Sequence, residues 1–227
     1  MRRLILFDID GTLVRGGPAK VAFETAMVET YGTTGDVYRV SFAGKTDPQI
    51  ARELLTGAGV DNQTIDAGLP ELWERYLGYL RDGLDTRRMS VLAGVHELLD
   101  ALVAVEGVAL GLVTGNIAGG AELKLASAGL WDRFAVGGYG SDHEERDHLP
   151  GIALERARVY WRAELPARDA VIVGDTPRDV ACGRAGGMRT LAVATGSFGP
   201  EDLRAAGADH VVEDLSVTDR MVELLTA

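Results

Sequence analysis

Short, continuously apolar segments alternate along the chain with segments of helical periodicity. The apolar segments are residues 4–7, 109–113, 170–173, 191–194 and 211–212. Most of them lack the polar–apolar alternation of a half-exposed strand, as is typical of parallel strands buried on both faces. The helical segments between them are residues 94–103, 118–128, 150–163 and 180–185. This alternation of strand and helix predicts an α/β fold built on a parallel sheet.

The stretch after the first predicted strand has a different pattern. Helical periodicity covers residues 19–31, 48–55 and 69–84, and no convincing strand lies between these segments. The simplest explanation is a helical insert within one α/β domain. We therefore predict an α/β core of residues 1–14 and 90–227 and a helical insert of residues 15–89.

Polar side chains cluster where the predicted strands end. In an open parallel sheet the carboxyl ends of the strands form the ligand crevice, so these side chains should meet there. The set is Asp8, Asp10, Gly11 and Thr12 after the first strand, Thr114, Gly115 and Asn116 after the second, and Gly174, Asp175, Thr176 and Asp179 after the third. Four carboxylates in one crevice repel one another unless a cation compensates them. Mg²⁺, a hard cation that binds oxygen ligands, would do so.

The segment DIDGT carries its own chemical signal. Asp8 and Asp10 are one residue apart, so both can project toward the same side. Gly11 permits a sharp turn, and Thr12 can satisfy backbone donors within it. One carboxylate could attack an electrophile while the other transfers a proton. The alternative is that Asp10-Gly11 is only a turn dipeptide.

Three motifs in this order resemble the haloacid dehalogenase superfamily. They are FDIDGT at residues 7–12, LVTGN at 112–116 and VIVGDTPRDV at 171–180. The resemblance covers nearly the whole chain, because the insert after the first motif is similar to the helical cap of that superfamily. It implies a Rossmann-like parallel core with an inserted α-helical cap.

The resemblance also implies roles for individual residues. Asp8 matches the nucleophile that becomes an aspartyl-phosphate, and Asp10 matches the general acid and base. Thr114 matches the hydroxyl that holds a phosphoryl oxygen, with Gly115 and Asn116 in the same substrate-binding segment. An acid at position 10 points to phosphate ester chemistry, because the dehalogenases and phosphonate hydrolases of the superfamily lack it.

The implied cofactor is Mg²⁺. Asp175 matches a metal ligand alongside the Asp8 carboxylate and the Asp10 backbone carbonyl. Asp179 matches the second acid of that motif, which either binds the metal directly or orients a ligand through water.

One expected residue is missing, because the superfamily usually has a lysine shortly before the helix that leads to Gly174-Asp175. The three lysines of this chain, Lys20, Lys45 and Lys124, lie elsewhere. Arg146 is the best substitute, since its guanidinium could bridge Asp8 and a phosphoryl group. The alternative is that Arg146 pairs with neighbouring acids on a solvated loop. Lys124 is a rival, but its place inside a helix predicts a position on that helix's surface.

The cap contains the segment FAGKTDPQIAREL. Asp47 followed by Pro48 predicts a helix N-cap and first turn, and leaves Lys45 in a loop that could face the crevice. Lys45 could then neutralise a substrate carboxylate or second phosphate, unless it is an ordinary surface lysine. Trp73, Tyr76, Leu77 and Leu80 share one helical face and are predicted to be cap core.

The composition of the chain limits the classes of partner that it is expected to bind. The 227 residues carry a formal net charge of −11 and 6% aromatic residues, which disfavours nucleic acid and anionic membrane surfaces as partners. The single cysteine, Cys182, cannot form an internal disulfide, and no apolar run reaches the ~18 residues of a membrane helix. We therefore expect a cytoplasmic protein, a monomer or homodimer, with a small phosphorylated metabolite as its partner.

Three functions are compatible with these residues. The leading hypothesis is a Mg²⁺-dependent phosphatase acting on a small phosphorylated metabolite, similar to phosphoglycolate phosphatases. A phosphomutase similar to β-phosphoglucomutases would use the same Asp8 and return the phosphoryl group to another hydroxyl. A binding or regulatory protein that keeps the fold without the chemistry is the third, supported only by the missing lysine.

Overall fold

The computed structural model describes residues 3–227 and is built around a sheet of six strands. With elements numbered in chain order, these strands are β1 (Arg3–Phe7), β4 (Val108–Thr114), β5 (Val136–Tyr139), β6 (Ala170–Gly174), β7 (Arg189–Val193) and β8 (His210–Val212). They lie in the order β5-β4-β1-β6-β7-β8 and every pair is parallel. The predicted Rossmann-like α/β core is confirmed.

The strands of this sheet are connected through helices that cover its faces. These helices are α4 (Val95–Ala104), α5 (Ala118–Ser127), α6 (Leu149–Trp161), α7 (Pro177–Ala185), α8 (Pro200–Ala205) and α9 (Thr218–Thr226). The last two were not predicted, because α8 is a six-residue element and neither carries a long periodic pattern. Across residues 3–227, no helix combines the length and apolar character needed to cross a membrane.

Strand β1 shows why the core strands are continuously apolar. Leu4 and Leu6 join the apolar cluster on the α6 face of the sheet, whereas Ile5 and Phe7 join the cluster on the α4 and α9 face. All four side chains are fully buried. Each such burial contributes roughly 1.5–3 kcal/mol, so β1 anchors the residues that follow it.

The insert consists of helices α1 (Ala19–Tyr31), α2 (Asp47–Gly57) and α3 (Asn62–Thr86). A small antiparallel pair, β2 (Val14–Gly16) and β3 (Met89–Val91), flanks it. This pair was missed because its three-residue strands are too short for a periodic signal. It holds the two chain crossings side by side. The division into residues 1–14, 15–89 and 90–227 stays a prediction, and β2 and β3 lie at its boundaries.

Strand β5 was also missed. Its sequence is VGGY, and glycine weakens the strand signal. A Cβ at Gly138 would overlap the carbonyl of Leu149 at the start of α6, so the glycine allows the helix to approach the strand. The same glycine that obscures β5 in the sequence is therefore required by its packing.

Candidate active site

Three adjacent strands deliver polar groups to one edge of the sheet. Strand β1 lies between β4 and β6, so Asp8 after β1 is flanked by Thr114 at the end of β4 and Asp175 after β6. The Asp8 N–H donates to the carbonyl of Val173 at 2.8 Å, which extends the pairing of β1 and β6 by one residue. The structure thus brings together groups that lie more than 160 residues apart in the chain.

Three buried carboxylates form a cluster, which we call the carboxylate cluster: Asp8, Asp175 and Asp179. Each offers an oxygen, and these oxygens all lie within 4.8 Å of one another. Burial, together with the negative charge of Asp179, raises the pKa of Asp8 to about 7. Burial and the charges of Asp8 and Asp179 raise the pKa of Asp175 to about 8. The cluster therefore favours a bound cation.

Glycines leave room around Asp175. A Cβ at Gly11 or at Gly196 would collide with the Asp175 carboxyl group, and Gly11 also has a φ of +88°. The hydroxyl of Thr12 donates to Asp175 Oδ1 at 3.2 Å. The expectation that the Thr12 side chain serves backbone donors of its own turn is wrong, because the hydroxyl instead orients a carboxylate from another strand.

Asp179 also stabilises the first turn of helix α7. Thr176 is the N-cap of α7, and its hydroxyl accepts the Asp179 N–H at 3.2 Å. Asp179 Oδ2 in turn accepts the Thr176 N–H at 2.9 Å and the Thr176 hydroxyl at 2.7 Å. This reciprocal capping box fixes the first turn of α7. The other oxygen of Asp179, Oδ1, accepts a hydrogen bond from Arg146.

Arg146 lies within the site. Its side chain is 5% exposed, and its Nη2 donates to Asp8 Oδ1 at 2.9 Å and to Asp179 Oδ1. The Nη1 donates to the carbonyl of Gly44, which belongs to the insert, at 3.3 Å. The alternative of a solvated Arg146 that pairs with acids of its own loop is therefore wrong. The guanidinium instead links the carboxylate cluster to the cap.

Asp10 is held by a second cation. Lys124 Nζ donates to Asp10 Oδ2 and to Asn116 Oδ1, both at 2.6 Å, and Asn116 Nδ2 donates to Asp10 Oδ2 at 2.8 Å. The predicted surface position of Lys124 is wrong, because its side chain is only 6% exposed. The Asp10 carboxylate is not part of the carboxylate cluster. Its expected contribution to a metal through the backbone carbonyl stays a prediction.

The segment after β4 provides neutral groups. Thr114 is fully buried, and its hydroxyl accepts from the Asn116 N–H at 3.3 Å and from Asn116 Nδ2 at 2.8 Å. Gly115 lies against the insert, where a Cβ would overlap the carbonyl of Lys45. All three residues of this segment line the cavity described below.

The cap contacts the core along a seam, which we call the cap seam: Thr46, Asp47, Arg52 and Glu144. Thr46, not Asp47, is the N-cap of α2, so the predicted N-cap is wrong by one residue. Asp47 instead bonds across the seam: its N–H donates to the Gly115 carbonyl at 2.7 Å, and its Oδ2 accepts the Ile117 N–H at 2.8 Å. Because Ile117 precedes α5, Asp47 caps a core helix from the cap. Burial raises its pKa to about 6.

The cap seam contains further contacts besides those of Asp47. The Thr46 hydroxyl donates to the Glu144 carbonyl at 2.5 Å, and Arg52 Nε donates to both carboxylate oxygens of Glu144 at 2.9 Å. Arg52 is also bonded to Asp66 of α3 at 2.7 Å. The cap is therefore held against the loop that carries Arg146.

Lys45 faces the cavity with its charge already paired. Its side chain is 10% exposed and its Nζ bonds to Glu53 of α2. The alternative of an ordinary surface lysine is wrong, although a substrate contact by Lys45 stays a prediction.

A cavity of about 430 Å³, open to solvent, lies between the cap and the core. Its floor is formed by the residues described above, and its cap wall includes Phe23, Phe42, Ile50 and Tyr76. Tyr76 was assigned to the cap core alone; it is 2% exposed and also lines the cavity. Helical periodicity shows that a face is buried, but it does not distinguish a face buried in a core from one that borders a ligand cleft.

Comparisons with known proteins agree with this geometry. A sequence model of the haloacid dehalogenase-like hydrolase family matches residues 5–193. A phosphoglycolate phosphatase of Xanthomonas campestris is 31% identical over 93% of this chain and 92% of its own length. One from Xylella fastidiosa is 30% identical over 96% and 92%. The chain belongs to the haloacid dehalogenase-like hydrolase family, and the prediction of a phosphatase-type hydrolase is confirmed.

Solved structures show the same fold at low identity. A hydrolase from Pseudomonas syringae matches with a TM-score of 0.75 and 19% identity over 100% of both chains. A CbbY protein from Rhodobacter sphaeroides, solved in complex with phosphate, matches with a TM-score of 0.70 and 19% identity over 95% of this chain and 96% of its own.

Proposed function

We propose that this protein is a Mg²⁺-dependent phosphatase that hydrolyses a small phosphorylated metabolite through an aspartyl-phosphate on Asp8. The observation that carries the proposal is the position of Asp8, whose carboxylate lies between Arg146 and two further carboxylates. The separately held Asp10 lines the same cavity. A nucleophile, a cation and a proton-transfer group would thus be collected in one cleft.

The donor set fits Mg²⁺. Asp8, Asp175 and Asp179 offer hard oxygen atoms close together, and burial together with the neighbouring carboxylates raises the pKa values of Asp8 and Asp175. Asp8 and Asp175 are the proposed ligands. Asp179 would bind directly or through water, because one of its oxygens serves the capping box. When bound, Mg²⁺ would neutralise charge on the cluster and on a phosphoryl group.

The reaction then needs two steps at phosphorus. Asp8 attacks the phosphorus atom, the bond to the ester oxygen breaks, and protonated Asp10 gives its proton to the leaving alkoxide. Water next attacks the aspartyl-phosphate, Asp10 takes the water proton, and inorganic phosphate leaves with Asp8 restored. Arg146 and the Thr114 hydroxyl are the groups proposed to hold phosphoryl oxygens during both steps.

The substrate is proposed to be a small phosphomonoester. The relatives named phosphoglycolate phosphatase span nearly the whole chain, which makes 2-phosphoglycolate the first ester to test. The cavity volume of about 430 Å³ supports a small leaving group. The expectations of a cytoplasmic location and of a monomer or homodimer accompany this proposal as predictions.

Phosphate release from a panel of phosphomonoesters, with Mg²⁺ and with a chelator, tests the proposal. We expect metal-dependent release that is lost in Asp8→Asn and kept in Asp132→Asn, a matched change at an exposed aspartate of the core. An acid-quenched phosphoenzyme should be visible by intact mass in the wild type. Folded wild type that releases no phosphate from any ester would contradict the proposal. Transfer between two hydroxyls of a sugar phosphate would then favour the phosphomutase.

A further inference from the structure

The two aspartates of the first motif, Asp8 and Asp10, bond to different cationic side chains. Arg146 bonds to Asp8 and Asp179, whereas Lys124 bonds to Asp10 and Asn116. Lys124 is therefore not a substitute for Arg146 at the nucleophile. Its partners, Asp10 and Asn116, both lie outside the carboxylate cluster.

The two hydrogen bonds that hold the Asp10 carboxylate are made to the same oxygen. Lys124 Nζ and Asn116 Nδ2 both donate to Oδ2. Across residues 3–227, no group donates a hydrogen bond to Asp10 Oδ1, and the Asp10 side chain is 45% exposed at the cavity. Two donors on one oxygen fix the plane of a carboxylate that would otherwise rotate. The other oxygen is then left for a leaving group or a water molecule.

Packing alone does not explain Lys124. Its helix α5 buries Ala121 and Leu125 around it, and an uncharged side chain of similar length would fill that space. Burying an ammonium group is unfavourable unless charged and polar partners compensate it. The partners of Lys124 are Asp10 and the amide that also binds Asp10, so the buried charge is matched to that one carboxylate.

We propose that Lys124 is a positioning residue for Asp10: it holds the carboxyl group so that the free oxygen meets the ester oxygen of the substrate. This assignment rests on the proposed phosphatase function. In the first step the proton moves from Asp10 to the leaving alkoxide while the phosphorus–oxygen bond breaks. Lys124 takes no part in the bond changes, and it acts by fixing the geometry of that transfer.

The test compares two substrates whose leaving groups differ in their need for a proton. Lys124→Met keeps the length and removes the charge, and kcat/KM reports the steps through phosphoenzyme formation. We expect a loss of about 100-fold with an alkyl phosphate, whose alkoxide needs a proton, and less than about 5-fold with p-nitrophenyl phosphate, whose phenolate leaves without one. A purely structural defect would lower both values by the same factor.

Matched variants separate positioning from folding. Lys124→Arg should recover most of the alkyl phosphate activity, because a cation is retained. Lys124→Met placed on Asp10→Asn should cause little additional loss, since the positioned group is already gone. Thermal unfolding and the calorimetric affinity for Mg²⁺ should match the wild type in Lys124→Met, because the carboxylate cluster is untouched.

The possible outcomes are distinct. Active wild type whose preference between the two esters is unchanged by Lys124→Met overturns the assignment of Lys124 alone. Additive losses in the double variant overturn it as well. Wild type that hydrolyses neither ester overturns the proposed function, and the assignment with it.

Discussion

The carboxylate cluster and the cap seam are built in opposite ways. The members of the cluster are almost fully buried, and they follow the carboxyl ends of the central strands β1 and β6. The seam includes partly exposed charged side chains, such as the pair Arg52 and Glu144, and it joins α2 of the cap to the loop that carries Glu144. Buried charges are weakly screened and depend on each partner, whereas exposed pairs are worth little individually. Chemistry should therefore depend on the cluster, and substrate access on the seam.

Removing the cation of the cluster should have the largest effect. Arg146→Met is expected to lower kcat by about 10³-fold, because it removes the donor to Asp8 that is also proposed to hold a phosphoryl oxygen. It should also lower the free energy of unfolding by roughly 3 kcal/mol without Mg²⁺, since buried carboxylates lose their partner. Urea unfolding and steady-state kinetics measure both.

The control for that change is Arg204→Met, at an exposed arginine of α8. It should leave both quantities near the wild-type values. Equal effects of the two variants would show that the buried cation has no special role.

Crowding the cluster should have the next largest effect. Gly196→Ala places a methyl group against the Asp175 carboxyl group, and displacement of that side chain is expected to reduce kcat/KM by about 10²-fold. The affinity for Mg²⁺ by calorimetry should fall in parallel. Gly78→Ala, in open space on α3, should leave activity unchanged and stabilise the protein by about 0.5–1 kcal/mol. Unchanged Mg²⁺ affinity in Gly196→Ala would argue against Asp175 as a ligand.

A smaller effect is expected at the seam. Asp47→Ala removes the cap that Ile117 receives from across the seam, and we expect KM to rise about 5-fold with kcat nearly unchanged. Asp61→Ala removes a comparable cap inside the insert, where Asp61 accepts the Thr64 N–H at 3.0 Å. Both should lose about 1 kcal/mol of stability, but only the seam variant should change KM. The same KM in both variants would count against a role of the seam in substrate access.

The smallest effect concerns pH. The pKa of Asp8 is raised to about 7 from its usual 3.8, so between these values the folded state binds more protons than the unfolded state. The free energy of unfolding of the metal-free protein should therefore fall as pH rises from about 4 to about 7. Asp8→Asn should show a shallower fall in urea unfolding, and Mg²⁺ should offset it by binding the ionised form. A slope unchanged in Asp8→Asn would contradict a raised pKa of Asp8 in the folded protein.

Local patterns predicted most of the fold. The first helix of the insert was predicted at residues 19–31 and is observed as Ala19–Tyr31. The five apolar segments all lie in strands of the sheet, with ends shifted by one or two residues. The strand pair β2–β3 and the glycine-rich β5 were missed, because three-residue strands and glycine carry little periodic signal.

The sequence predicted some residues of the candidate site and misplaced others, because local patterns do not report long-range contacts. The aspartates and Thr114 lie in motifs at strand ends, and Arg146 was found as the substitute for the lysine that the resemblance implies. Lys124 and Asp47 were misplaced because their partners lie 114 and 70 residues away, and no local pattern shows which buried group they meet. Thr46 as the N-cap of α2 was one residue from the expected position, and only the hydrogen bond to Gln49 settles it.

The sequence by itself determined the parallel α/β core, the helical insert and the residues that gather at the strand ends, because apolar periodicity and motif spacing are local properties of a chain. Only the tertiary structure decided which cation meets which aspartate. Arg146 and Lys124 were rivals for one place, and the fold uses both, one at Asp8 and the other at Asp10. The physical reason is that a buried charge is placed by long-range packing of the helix or loop that carries it, and sequence distance does not encode that packing.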